Sequence, residues 1–161
     1  MRKTVIGVMG PGAGATKKDK KNAYELGAKI AKNGWVLLSG GRNKGVMDAV
    51  SQGTHDARGL VIGILPSKDG SDASKAVDIQ IITGFGGGRN IINVLSCDIV
   101  VSCGMGAGTS SEIGHAVKVG KPTILLGTGK NAEAFFKEIG PKFIHIAKTI
   151  PETIELIKKL L

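Results

Sequence analysis

"DIVVSCGMGAGTSSEIGHA", residues 98–116, passes from an apolar run through a glycine loop into a segment of helical spacing. "DIVVS" is short, rich in β-branched residues and bounded by an acid, which is the pattern of a buried strand. Gly104, Gly106 and Gly108 follow at alternate positions, then the hydroxyl residues Thr109, Ser110 and Ser111, then Glu112. Ile113, Ala116 and Val117 keep one helical face up to Gly120, where the helix is expected to stop. Strand, glycine turn and helix in that order form the unit of a parallel α/β sheet. A run of glycine marks a place where the backbone bends sharply or lies close to something.

The same alternation extends in both directions. "TVIGVM" (4–9), "WVLL" (35–38), "LVIGIL" (60–65), "IQII" (79–82), "TILL" (123–126) and "FIHI" (143–146) read as further strands. Thr16 and Asp19 have capping-box spacing, and Ala23, Leu26, Ile30 and Ala31 continue helically to Asn33-Gly34. Val46, Ala49, Val50 and Ala57 outline a second helix, Ile91, Ile92, Val94 and Leu95 one that follows Arg89, and Thr149 with Glu152 opens the last as another capping box. Right-handed crossovers between such strands give a Rossmann-like, doubly wound α/β fold with a mainly parallel sheet and helices on both faces. One domain is expected over residues 1–161.

Composition agrees. Apolar residues make up 42% of the chain and aromatics only 4%, which suits a core of Val, Ile, Leu and Ala around parallel strands. Twenty-two Lys and Arg against 13 Asp and Glu give a formal charge of +9, favouring anionic ligands. Cys97 and Cys103 are too few for a disulfide framework and stand about 20 Å apart if the strand between them is extended. The five-residue apolar run in the opening decapeptide is too short for a signal peptide and no segment approaches a membrane span, so a cytoplasmic location and no membrane partner are expected.

In a doubly wound sheet, ligands bind beyond the carboxyl ends of the strands. The loops there are "GPGAGAT" (10–16), "SGGRNKG" (39–45), "TGFGGGRN" (83–90) and "GMGAGTS" (104–110). Any one could be an ordinary tight turn; four together point to a backbone cradle for a phosphate or other oxoanion. The candidate binding residues are Gly12, Gly14, Ala15, Gly40, Gly41, Arg42, Arg89, Asn90, Gly104, Gly106, Ala107, Gly108, Thr109, Ser110 and Glu112. Arg42 and Arg89 lead as anion contacts, since a guanidinium grips phosphate bidentately. Lys17 and Lys18 oppose the dipole of the first helix, so either an anion lies close by or they belong to a solvated lysine face. NAD is not expected, because Ser39 to Arg42 stand where a dinucleotide fold places its ribose-binding acid. Nor is ATP, because no segment fits G-x-x-x-x-G-K-[ST].

His55, His115 and His145 are unpaired, and buried cysteine usually behaves as a small hydrophobe, so no metal ligands are expected. No aromatic residues interleave the lysines, which argues against nucleic acid as a partner.

"SGGRNKGVMDAVSQGTHDARGLVIGILP" (39–66), "GFGGGRNIINVLSCDIVVSCG" (84–104) and "GAGTSSE" (106–112) resemble the family once described as lysine decarboxylase-like, which includes the "lonely guy" phosphoribohydrolases. Within it, the Gly-Gly-Arg, Arg-Asn and degenerate glycine-loop motifs are most similar to the molybdenum cofactor carrier proteins. The Arg-Asn-x-Ile-Asn-x-Leu segment, 89–95, is the most specific part. The resemblance implies a non-catalytic carrier of the molybdenum cofactor, a homo-oligomer (dimer or tetramer), and an apo-molybdoenzyme as recipient. The hydrolases carry Pro-Gly-Gly-x-Gly-Thr-x-x-Glu and an Arg-Lys pair, whereas this chain has Gly104-Met105-Gly106-Ala107-Gly108-Thr109-Ser110-Ser111-Glu112 and Arg89-Asn90. The alternative it implies is cleavage of a nucleoside 5'-monophosphate at its N-glycosidic bond, with Arg89 and Glu112 as the catalytic pair. A carboxylate in the first turn of a helix is also favoured electrostatically without any chemistry to do.

Overall fold

The apolar runs become seven strands because each is short enough to cross one sheet, and all but the edge strand at residues 79–82 are apolar enough to be largely buried within it. The computed structural model describes residues 2–161. Its strands are β1 (Val5–Met9), β2 (Val36–Ser39), β3 (Val61–Leu65), β4 (Ile79–Ile82), β5 (Ile99–Cys103), β6 (Thr123–Leu126) and β7 (Ile144–Ala147). They form one sheet in the order β4-β3-β2-β1-β5-β6-β7, and every pairing is parallel. The helices are α1 (Lys17–Lys32), α2 (Gly45–Asp56), α3 (Asn90–Leu95), α4 (Ala107–Lys118), α5 (Lys130–Ile139) and α6 (Ile150–Leu160), with a 3-10 turn at Gly86–Arg89.

Alternation along each strand sends side chains to two cores. Ile6, Val8, Leu37, Ile99 and Val101 pack with Ala23, Leu26 and Ile30 of α1, Val46 and Val50 of α2, and Ile154 and Ile157 of α6. On the opposite face Met9, Leu38, Ile64 and Val100 meet Val94 of α3 and Ala116 of α4, while Leu125 and Ile144 meet Phe136 of α5. Each fully buried aliphatic side chain contributes roughly 1.5–3 kcal/mol of transfer free energy. Helices therefore cover both faces, as the sequence reading expects.

Details differ at the helix ends. Thr16 and Asp19 form the complete capping box. At Thr149 only half of it forms: the hydroxyl accepts from the Glu152 N–H, but Glu152 Oε2 accepts from the N–H of Lys148, one residue further out. Helix α5 is an addition to the sequence reading. Among its apolar residues Phe136 is buried while Phe135 and Ile139 are about half exposed. Edge strand β4 is exposed along its whole length. No described helix is long and apolar enough to cross a membrane.

Candidate functional site

Strands β1 and β5 are neighbours in the sheet, yet the chain leaves them in opposite directions, through α1 towards β2 and through α4 towards β6. The two loops splay apart and open a crevice at this switch point. A cavity of about 670 Å³ occupies it. Gly12 and Gly14 line it from the loop after β1, Gly40 and Arg42 from the loop after β2, and Arg89 and Asn90 from the start of α3. Gly106, Ala107, Gly108, Thr109 and Glu112 line it from α4. The four glycine loops thus meet in one place.

Four candidates fall outside the lining. Ala15 packs against the core under α1. Gly41 backs onto Gly63 of β3, whose Cα lies 2.8 Å from where a Cβ on Gly41 would stand. Gly104 turns the chain out of β5 with φ +76, and its open side faces the Asp19 carboxylate. Ser110 turns its hydroxyl back to donate to the Ala107 carbonyl at 2.8 Å. Lys17 and Lys18 are exposed and also do not line the cavity.

Gly106 stands at the N-cap of α4 and has no side chain to cap it, so the amides of the first turn face the cavity without an acceptor from a capping side chain. Thr109 lies in that turn, is 2% exposed, and its Oγ1 has no hydrogen-bond partner. Buried hydroxyls without partners are uncommon and costly. An oxoanion at this helix end would accept from the amides and the hydroxyl together, and the helix dipole would favour its charge. Gly108 and Gly14 keep the approach open: a Cβ on Gly108 would meet only Asn90 Nδ2 at 3.9 Å, and one on Gly14 would meet nothing within 4 Å.

The arginines behave differently from a free bidentate pair. Arg89 is 8% exposed, donates from Nε to the Ile64 carbonyl at 2.7 Å, and reaches the Gly40 carbonyl from Nη2 and Asn90 Oδ1 from Nη1, both at 3.3 Å. Two of its five N–H donors thus tie the ends of β2 and β3 together beneath the cavity, and a third engages Asn90. Burial lowers the affinity of its guanidinium for the proton. With an ordinary value above about 12, the group still keeps its charge. Gly40 makes this fit possible, since a Cβ there would stand 2.8 Å from Arg89 Nη2. Arg42 Nε pairs with Asp72 Oδ2 at 2.8 Å, so one edge of its fork is engaged while the side chain remains part exposed at the rim.

Glu112 lies in the second turn of α4, past the reach of the helix end, so the dipole does not account for it. It is 7% exposed, and its Oε1 accepts a 2.7 Å hydrogen bond from Nδ2 of the fully buried Asn93. Burial pushes its carboxyl up to about 7, against the opposing pull of Asn93 and of the Arg89 charge. At neutral pH the carboxyl is therefore partly protonated and able to donate to an anion. Asn93 was absent from the sequence-derived candidates, although Arg89 and Asn93 stand four apart, the spacing of one helix face. Met9, Met47 and Met105, which add apolar wall to the cavity, carried no sequence signal of their own. Among the described residues no cluster of His, Cys, Asp and Glu is placed to hold a metal ion.

Over 99% of its length the chain is 54% identical to the molybdenum cofactor binding protein of the phototrophic bacterium Rippkaea orientalis, covering 98% of that chain with a TM-score of 0.98. It is 44% identical to the molybdenum cofactor carrier protein of Chlamydomonas reinhardtii over 99% of this chain and 98% of that one, with a TM-score of 0.94. An uncharacterised protein of Archaeoglobus fulgidus is 42% identical over 121 residues, 75% of this chain and 78% of its own. The model of the SLOG cluster4 family matches residues 3–154, and the chain belongs to that family.

Proposed function

We propose that this protein binds the molybdenum cofactor in the crevice between β1 and β5 and carries it to an apo-molybdoenzyme. The observation that supports this most is the uncapped start of α4 with the unpartnered Thr109 hydroxyl, in a chain similar along nearly its whole length to proteins that bind or carry this cofactor. An anionic end of the cofactor takes the first-turn amides of Ala107, Gly108 and Thr109. Gly12 and Gly14 let the rest of the ligand lie close to backbone, and Arg42 and Arg89 make the local potential positive. Asn90 holds Ser111 and so fixes the start of α4 against α3, through a 2.7 Å bond from its Nδ2 to Ser111 Oγ. Asn93 holds Glu112 as an acid at the cavity floor. Such a site keeps an anionic pterin in place by hydrogen bonds and charge, and among the described residues its lining holds no cysteine, serine, lysine or histidine, which suits safe carriage.

The working form is a homo-oligomer in the cytoplasm. Ile79 and Ile81 of β4 project on the face of α3, and with Ile82, Phe85 and Leu95 they are exposed by 43–68%. An open parallel edge beside so much apolar surface calls for a covering copy. Sedimentation equilibrium should show a dimer or larger, and Leu95→Glu should shift it towards monomer. The carrier function is tested by loading purified protein with cofactor released from a molybdoenzyme and asking whether the complex restores activity to a cofactor-free enzyme. Failure of loaded protein to do so contradicts it.

A further inference from the structure

A second cavity, of about 460 Å³, lies beside the first, and Met105 belongs to the walls of both. Its other walls come from the loop after β6 and the first turn of α5: Thr128, Gly129, Lys130, Asn131 and Ala132. We infer that this loop is a second oxoanion site, built for a tetrahedral phosphate-class group and separate from the cradle at α4.

Four features of this loop carry it. Helix α5 starts at Gly129 with no side-chain cap, so its first amides have no acceptor from a capping residue. Gly129 itself holds φ +87 and ψ 148, a conformation essentially confined to glycine, and Gly127 has φ +67. Thr128, between them, is 7% exposed and lines the cavity, yet its Oγ1 has no hydrogen-bond partner. A hydroxyl kept buried and unpaired lowers stability unless something outside the chain bonds it. Lys130 adds a cation in the first turn of a helix, where it opposes the dipole unless an anion lies between. Glu133, the acid of that turn, does not line the cavity.

The group that fits accepts from the amides of α5 and from Thr128 Oγ1 and pairs with Lys130 Nζ. It is either the second anionic end of the same cargo, which rests on the carrier proposal, or a free oxoanion, which does not. Inorganic phosphate titrated calorimetrically into the empty, full-length protein distinguishes these from no site at all. Wild type should take two phosphates per chain; Thr128→Val and Lys130→Met should each weaken one of them at least tenfold, about 1.4 kcal/mol, and spare the other. Gly108→Val should remove the phosphate that Thr128→Val spares. Because Thr128→Val deletes an unpaired hydroxyl, its thermal midpoint should equal or exceed that of wild type, whereas a purely structural threonine would lose stability. A second titration uses cofactor-loaded protein: phosphate excluded from the Thr128 site identifies the same cargo, and phosphate still bound there identifies a separate anion. If wild type binds a single phosphate that Gly108→Val abolishes, or if Thr128→Val and Lys130→Met leave the titration unchanged, the second site does not exist, whatever becomes of the carrier function.

Discussion

Asn93 and Glu112 join α3 to α4 through one buried hydrogen bond, 2.7 Å from Nδ2 to Oε1. It holds an acid, raised to about 7 by burial, on the wall of a cavity that is also lined by glycine backbone, Arg42 and Arg89. Because the folded state keeps this proton more tightly than the unfolded chain, where the carboxyl titrates near 4.5, its contribution to stability is present below about 4.5 and lost as pH rises towards 7. Glu112→Gln should remove that slope and raise stability at pH 8 by on the order of 2 kcal/mol. Urea denaturation at pH 5 and pH 8 checks this; parallel slopes for wild type and variant would contradict it. Cofactor retention by wild type should also fall above pH 7, where the ionised carboxylate repels an anion, and stay level in the variant.

Arg89 is expected to be structural first. Its guanidinium satisfies the carbonyls of Ile64 and Gly40, which no other side chain reaches among the described hydrogen bonds. Arg89→Ala should cost about 2–4 kcal/mol by leaving those groups and a hole behind, and Arg89→Lys should recover only a part. Arg42→Ala, by contrast, breaks one partly exposed pair with Asp72 and should cost no more than about 1 kcal/mol while weakening cofactor binding. Equal losses of stability in the two alanine variants would refute this division.

The two thiols should be inert. Burial pushes Cys97 up to about 11 and Cys103 up to about 12, so neither supplies thiolate near neutral pH. Ellman's reagent at pH 8 should label neither in native protein and both after denaturation. Rapid labelling of folded protein would show that one of them opens to solvent.

The fold was legible because each strand carries its own boundary and its own apolar run. The four glycine loops come together at the carboxyl edge of the sheet, since their position after strands is a local property. What the sequence hid was direction. Gly104 and Gly106 are two residues apart, yet Gly104 only turns the chain out of β5 while Gly106 leaves the start of α4 open to the cavity. Arg42 and Arg89 look alike in the chain, but the second is tied to carbonyls of Ile64 in β3 and of Gly40 just after β2, 25 and 49 residues away. Whether Thr128 Oγ1 finds a partner depends on how α5 packs over β6 and β7, which its neighbours in the chain do not encode. Glu112 was assigned to the first helical turn, and only the placement of the helix start at Ala107 removes the dipole explanation.

The most direct measurement is the molybdenum and pterin content of wild type and Gly108→Ala purified from cofactor-producing cells. A Cβ at Gly108 enters open cavity beside Asn90, and alanine at a helical position with ordinary φ should leave the thermal melt unchanged or slightly raised. Wild type should retain both molybdenum and pterin, and Gly108→Ala at least tenfold less, a loss of about 1.4 kcal/mol in binding. Full retention in a folded Gly108→Ala protein, or wild type free of both components, would contradict cofactor carriage at the start of α4.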